Sequence, residues 1–376
     1  MFTILVARIY DPSTYGEFAA VLALSSVFIG VSTLRLEVRA HGIEGSEKPL
    51  FRLALVVAAI VSIPILILSA VAVLLGADIV WLFCAPMVYI GSVQLVRSAQ
   101  LVYGRRYLAL ATNNFAQGAS MGSTQYILGL AAPASATLAV GFLVSRLTWI
   151  KGIGVMFTNV EPLLVTFKSH WRYAVVAGTT ALINSAAGQL PVLLIVAVYS
   201  SVEAGLFAMM LRLLVSPLAV IGRAAGATSI GEVGKLVRRR QPGARRFIAR
   251  ASMELAIAGL VPCLIVGFAG PWIATTLMGG EWRGAGVLMA IMSVGAFGQF
   301  VASPFSQLLN VVGASRSLLV WDLVRLLLFA GAIALPAAFG QSFTYAIGVY
   351  SLMHVPVYGL LLMQVWTAIG RIGDEE

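Results

Sequence analysis

The chain has almost no cysteine: two residues in 376, Cys84 and Cys263, each inside an apolar run. Two such residues supply neither a disulfide framework nor a metal-ligand spacing. Charge is scarce as well. Only 11% of residues are Asp, Glu, Lys or Arg, against about 25% in an ordinary soluble domain. A globule of this size needs a charged skin, so a soluble enzyme and a disordered chain are both excluded. The three histidines, His41, His170 and His354, are scattered. There is no carboxylate pair, glycine-rich phosphate loop or Walker lysine, and so no enzyme, cofactor or metal is expected. The basic excess, a net charge of +10, would suggest nucleic acid on a soluble protein. On a membrane protein it is better explained by lysine and arginine collecting on the cytoplasmic side.

What is abundant is apolar residue: 60% of the chain, with a mean hydropathy of +0.94. A backbone crossing hydrocarbon must satisfy its own hydrogen bonds, so it spans as helices or as a closed barrel. Barrel strands alternate over about 10 residues. Here the apolar runs are unbroken and of helix length. The pattern predicts spans near 16–36, 51–76, 79–97, 107–130, 134–150, 173–199, 204–229, 248–275, 284–312, 317–338 and 342–369, about eleven full transmembrane helices. Residues 1–9 read as the tail of an incomplete first helix.

Connections at 35–52, 97–106, 146–172 and 223–250, with Arg316 and Arg371, hold the basic residues; the exceptions are Arg8, Arg212, Arg283 and Arg325. The intervening connections are nearly free of them. Every second connection is therefore expected in the cytoplasm, and the C-terminus with them. The stretch 230–250 is the densest basic block. It reads either as topological charge or as a surface for anionic membrane lipids.

An internal repeat is also present. Tyr10, Gly16, Phe18 and Ala19 recur as Tyr199, Gly205, Phe207 and Ala208, at a constant offset of 189 residues. Gln100-Leu101 recurs as Gln307-Leu308, and Pro64 and Pro262 fall at similar points of their helices. Two halves of six helices follow, related by a pseudo-twofold along the membrane normal. The expected fold is an all-α polytopic membrane protein of two six-helix lobes: residues 1–150, a cytoplasmic linker at 151–172, and residues 173–376.

The candidate site residues are arginines in or beside helices. A charge at the bilayer centre costs roughly 2.5–3.5 kcal/mol on insertion scales, so such residues usually face water. Arg212, eight residues inside its helix, is the sharpest candidate. Arg8, Arg35 and Arg223 are the others, the last two also readable as topology anchors. Arg325 has Asp322 three residues earlier, the spacing of a helix-face ion pair. Acids inside the spans are nearly absent, whereas a cation antiporter would want a buried carboxylate. A guanidinium-lined surface suits an anion, and its planar fork suits phosphate oxygens.

Several stretches then resemble the polysaccharide (O-antigen and exopolysaccharide) flippases of the multidrug/oligosaccharidyl-lipid/polysaccharide exporter superfamily. They are VARIYDPSTYGEFA (6–19), STLRLEVRA (32–40), QLVRSAQLVYGRRYLALA (94–111), the segment 171–222, MGGEWRGAG (278–286) and SPFSQLLNVVG (303–313). The resemblance implies a two-lobe transporter of the bacterial inner membrane working by alternating access. It would move undecaprenyl-pyrophosphate-linked oligosaccharide for polysaccharide biosynthesis, with Arg8, Arg35 and Arg212 meeting pyrophosphate and sugars. Its partners would be the lipid-linked oligosaccharide, membrane lipids and other polysaccharide-assembly proteins, with no nucleic acid. The rival readings are a small-molecule drug exporter of the same superfamily and a non-transporting scaffold of a synthesis complex. A membrane glycosyltransferase would need a large outer loop, which is lacking.

Overall fold

The structure, a computed structural model, describes residues 2–40, 47–150, 163–238 and 243–373. Among these residues there is no β-strand, and nearly all of them are helical. Two compact units divide it, Met1–Leu193 and Leu194–Glu376.

The first unit holds α1 (Phe2–Ala7), α2 (Pro12–Ser32), α3 (Leu36–Arg39), α4 (Glu47–Leu74), α5 (Cys84–Tyr103), α6 (Tyr107–Ala131), α7 (Ser135–Arg146) and most of α8 (Leu163–Val198). The second holds α9 (Ser201–Met210), α10 (Ser216–Arg238), α11 (Ala244–Met278), α12 (Arg283–Ala302), α13 (Leu308–Val311), α14 (Ser315–Ala338) and α15 (Phe343–Gly373). The linker expected over 151–172 is helix from Leu163 onward, and 151–162 lies outside the described residues. The basic connection expected over 230–250 is helix up to Arg238 and again from Ala244; 239–242 lies outside the described residues. Basic residues on solvated helix ends are good helix formers, which is why these helices outrun their apolar cores.

Nine helical segments among the described residues are long and apolar enough to cross a bilayer. With the fold described below, they make this a multi-pass membrane protein. The other two expected spans are helical but differ in kind. α7 is a 12-residue helix followed by a single tight turn, Leu147–Trp149, too short for a full crossing. α6 has the length, 25 residues, but is too polar to be counted with the nine.

Helix starts follow capping chemistry. Asp11 precedes Pro12, and its carboxylate accepts the backbone N–H groups of Ser13 and Thr14 at 2.8 and 3.0 Å. At the equivalent point 189 residues on, Ser200 caps α9 by accepting the Glu203 N–H at 3.3 Å. The repeat thus has a structural counterpart: both N-caps match, Gly16 and Gly205 are both buried, and Phe18 and Phe207 are both fully enclosed. Helix partners match too. α4 packs on α5 and α11 on α12; α6 packs on α7 and α14 on α15; α5 packs on α7 and α12 on α15.

Small residues set the closest approaches, as expected where lipid offers no hydrophobic drive between helices. α11 and α12 touch backbone to backbone at Gly270 and Gly286. In the first unit Tyr10 lies against Gly129, donating its hydroxyl to the Gln125 carbonyl at 2.9 Å and sharing a 2.8 Å hydrogen bond with Thr137.

Candidate functional site

Arg8 and Arg35 stand at opposite ends of α2, whose 21 residues span about 30 Å. They belong to one unit but do not meet. Arg8 is exposed at the end of α1. Arg35 lies in a reversal between α2 and α3 where two consecutive non-glycine residues, Leu34 (φ 51°) and Arg35 (φ 57°), are left-handed. Each such residue costs roughly 1–2 kcal/mol. The turn is held by Leu34 packing against Gly178 of α8 and by the Tyr173 hydroxyl donating to the Arg35 carbonyl at 3.3 Å. The Arg39 guanidinium lies 5.1 Å from the centre of the Tyr173 ring. Arg35, Arg39 and Tyr173 therefore gather at one corner of this unit. Arg39 was not singled out by sequence, because it reads as one more loop cation.

Arg212 and Arg223 lie on the α9–α10 run. Arg212 is half-buried and sits in a π-helical turn, Leu211–Val215, that joins the two helices. Pro217 explains the turn. Its ring removes an N–H that would bond the Leu213 carbonyl. The chain widens instead, so that the N–H of Ser216 bonds Leu211 five residues back and the Ser216 hydroxyl donates to the same carbonyl at 3.1 Å. Single π-turns of this kind occur often at functional sites. Arg223 is exposed on α10, three turns further on.

Asp322 and Arg325 form the helix-face pair that their spacing predicts, at 2.9 Å and 18% exposure each. The Arg325 guanidinium also lies 4.7 Å from the centre of the Trp321 ring. Next to them is a cluster that the scattered histidines did not suggest. His354 is 1% exposed, stacked on Phe329 at 4.2 Å and flanked by Tyr350 and Tyr358, one turn away on either side. Its Nδ1 lies 2.8 Å from the Tyr350 carbonyl. The imidazole is fully enclosed by rings, and it joins α14 to α15 as a structural residue.

A polar network ties α5 to α6 and to the end of α7. The Trp149 indole donates to Gln117 Oε1 at 2.8 Å, and the Gln117 amide donates to Gln94 Oε1 at 3.3 Å. Arg146, whose guanidinium lies 3.3 Å from the Phe142 ring centre, stands one turn before Trp149. Sequence spacing could not reveal this network, since its members come from three helices. No cluster of His, Cys, Asp or Glu among the described residues could hold a metal ion.

No protein-family model matches the chain, and no curated relative matches it in sequence. Solved structures do match. An inward-facing multidrug-resistance MATE family transporter of the MOP superfamily is similar with a TM-score of 0.72 at 13% identity, over 99% of this chain and 94% of that one. The lipid II flippase MurJ in an inward closed conformation gives 0.76 at 11%, over 99% and 86%. A MOP-superfamily transporter from Pyrococcus furiosus, described as having a binding pocket of reversed polarity, gives 0.64 at 12%, over 99% and 91%. The helix order, the repeated packing within the two units and these likenesses agree: the chain has the fold of the MOP-superfamily transporters and flippases.

Proposed function

We propose that the chain is a flippase carrying lipid-linked, undecaprenyl-pyrophosphate-type oligosaccharide across the bacterial inner membrane for polysaccharide assembly. The observation that carries this reading is the sign of the ionisable groups in the helices. Arg212 is half-buried in a widened helical turn, and the Asp322 carboxylate pairs with Arg325. A guanidinium so placed favours an anionic cargo, and its two-pronged geometry favours a diphosphate. Arg35, with Arg39 at its corner, is a second cationic position; Arg8 and Arg223 are further contacts along the path of the cargo. The basic connections would then face the cytoplasm and the C-terminus with them. A fold shared with a lipid II flippase supports a lipid-linked cargo.

The test is surface glycan in a bacterial strain lacking its own flippase and complemented with this chain. Arg212→Lys should lower glycan display, since a point charge cannot reproduce the fork, and Arg212→Ala should lower it about tenfold or more at unchanged expression. Full complementation by Arg212→Ala would remove the residue from the cargo path. Export of small cationic drugs, the competing reading on this fold, predicts the opposite dependence. Glu17, the carboxylate near the start of α2, would then matter and Arg212 would not.

A further inference from the structure

α6 does not behave as a lipid-facing helix. Of its 25 residues Gly122, Gln125 and Gly129 are buried, ten are exposed and the rest, Asn113 and Gln117 among them, are half-buried. Where only hydrocarbon met it, such a helix would be apolar. Instead Asn113, Asn114, Gln117, Ser120, Ser123, Thr124 and Gln125 crowd its middle. They are not spread evenly. Asn113, Gln117, Ser120 and Thr124 follow the i, i+4, i+7, i+11 register of one face, with Asn114 flanking it. Leu108 and Phe115, each 80% exposed, occupy another face. The helix is therefore amphipathic across the membrane, with a lipid side and an amide side.

The amide side is ordered from within. Trp149 donates to Gln117 and Gln117 to Gln94, so the Gln117 carboxamide is held at both ends and Gln94 is engaged through its Oε1. Asn113 and Asn114 make no side-chain hydrogen bond among the described residues, and Asn114 is exposed. Transfer of an unpaired amide into an apolar medium costs about 2–7 kcal/mol. Two adjacent free amides are tolerable only where water or a polar ligand meets them. Carboxamides both donate and accept, as do sugar hydroxyls, and they carry no charge to compete with the arginines for phosphate.

We infer that the Asn113–Asn114–Gln117–Gln94 face of α5 and α6 is a water-exposed binding surface for the polyhydroxylated, saccharide part of the cargo, separate from the arginines that meet its phosphates. This rests on the lipid-linked reading given above.

Two measurements test it, both on the full chain in lipid nanodiscs. In a Cys84→Ala, Cys263→Ala background, Asn114→Cys should react with a charged maleimide within about threefold of the rate at Gln341→Cys in a loop. It should react at least tenfold faster than Phe115→Cys on the lipid side. Equal, slow labelling at 114 and 115 would show a dry face and overturn the inference. The second measurement is binding of undecaprenyl diphosphate, bare and linked to an oligosaccharide. Asn114→Ala should weaken the glycosylated probe about tenfold and leave the bare one unchanged. An unchanged affinity for both, or an equal loss for both, would overturn the saccharide assignment while the lipid-linked reading stands. Wild-type protein binding neither probe would refute that reading, and this assignment with it.

Discussion

The backbone contact of α11 with α12 in the second unit offers a calculable perturbation. A methyl group added at Gly286 would meet the Gly270 carbonyl oxygen, the Cα of Pro271 at 2.6 Å and the Cβ of Ala274 at 2.8 Å. Ordinary contact begins at 3.4 Å, so α12 must retreat from Pro271 by about 0.8 Å. No rotamer change relieves the clash, because two of the three obstacles are backbone. A gap of 0.5–1 Å forfeits a quarter to a half of the dispersion well between facing atoms, and it does so along the whole α11–α12 seam. Overpacking of this kind costs roughly 1–3 kcal/mol, and the backbone nature of the obstacle puts Gly286→Ala at the upper end. The control is Gly348→Ala in α15, where nothing lies within 4 Å of the added methyl. There the better helix propensity of alanine should leave stability unchanged or raise it by up to about 1 kcal/mol. The assay is the fraction of monodisperse protein after graded heating in detergent. Equal melting of the two variants would refute the close-packing argument.

Tyr10→Phe should destabilise by about 1–3 kcal/mol in the same assay, because it removes a donor to the buried Gln125 carbonyl and a partner of Thr137; a wild-type melting curve would contradict the linkage. Asp11 bears on pH. Partial burial works to raise its carboxyl pKa, but hydrogen bonds from the Thr14 N–H, the Thr14 hydroxyl and the Ser13 N–H outweigh it and hold the group below the usual carboxylate range. A depressed pKa gives stability above the unfolded value, about 3.9, that is lost as pH falls through the folded value. Asp11→Asn should therefore flatten the acid limb of the stability profile below about pH 4 and leave the neutral region little changed, since asparagine also caps.

The membrane architecture was legible because it rests on local signals. Apolar run length is a property of neighbouring residues. The ion pair of Asp322 with Arg325 was readable for the same reason. The offset of 189 was also readable, and its structural content lies in the paired N-caps and matching helix partners. α6 was read as a helix over 107–130 and is one, but its apolar ends, Leu108–Ala111 and Ile127–Ala131, frame a polar middle whose one-sidedness run length does not show. The π-turn at Leu211–Val215 follows from Pro217, yet no pattern of hydropathy distinguishes a widened turn from a regular one. The gathering of Arg35, Arg39 and Tyr173, and the chain from Trp149 to Gln94, depend on residues more than thirty positions apart in at least one link. Those contacts exist only once the helices have packed.

The central claim is tested most directly by transport itself. The full chain would be reconstituted into proteoliposomes carrying fluorescent undecaprenyl-diphosphate-linked oligosaccharide in both leaflets, and translocation read by quenching with an impermeant reagent or by cleavage with an external pyrophosphatase. The account predicts that the protected glycolipid fraction falls faster with the protein than in empty liposomes, and that Arg212→Ala slows this about tenfold. Protection identical to empty liposomes, or equal rates for wild type and Arg212→Ala, would contradict it.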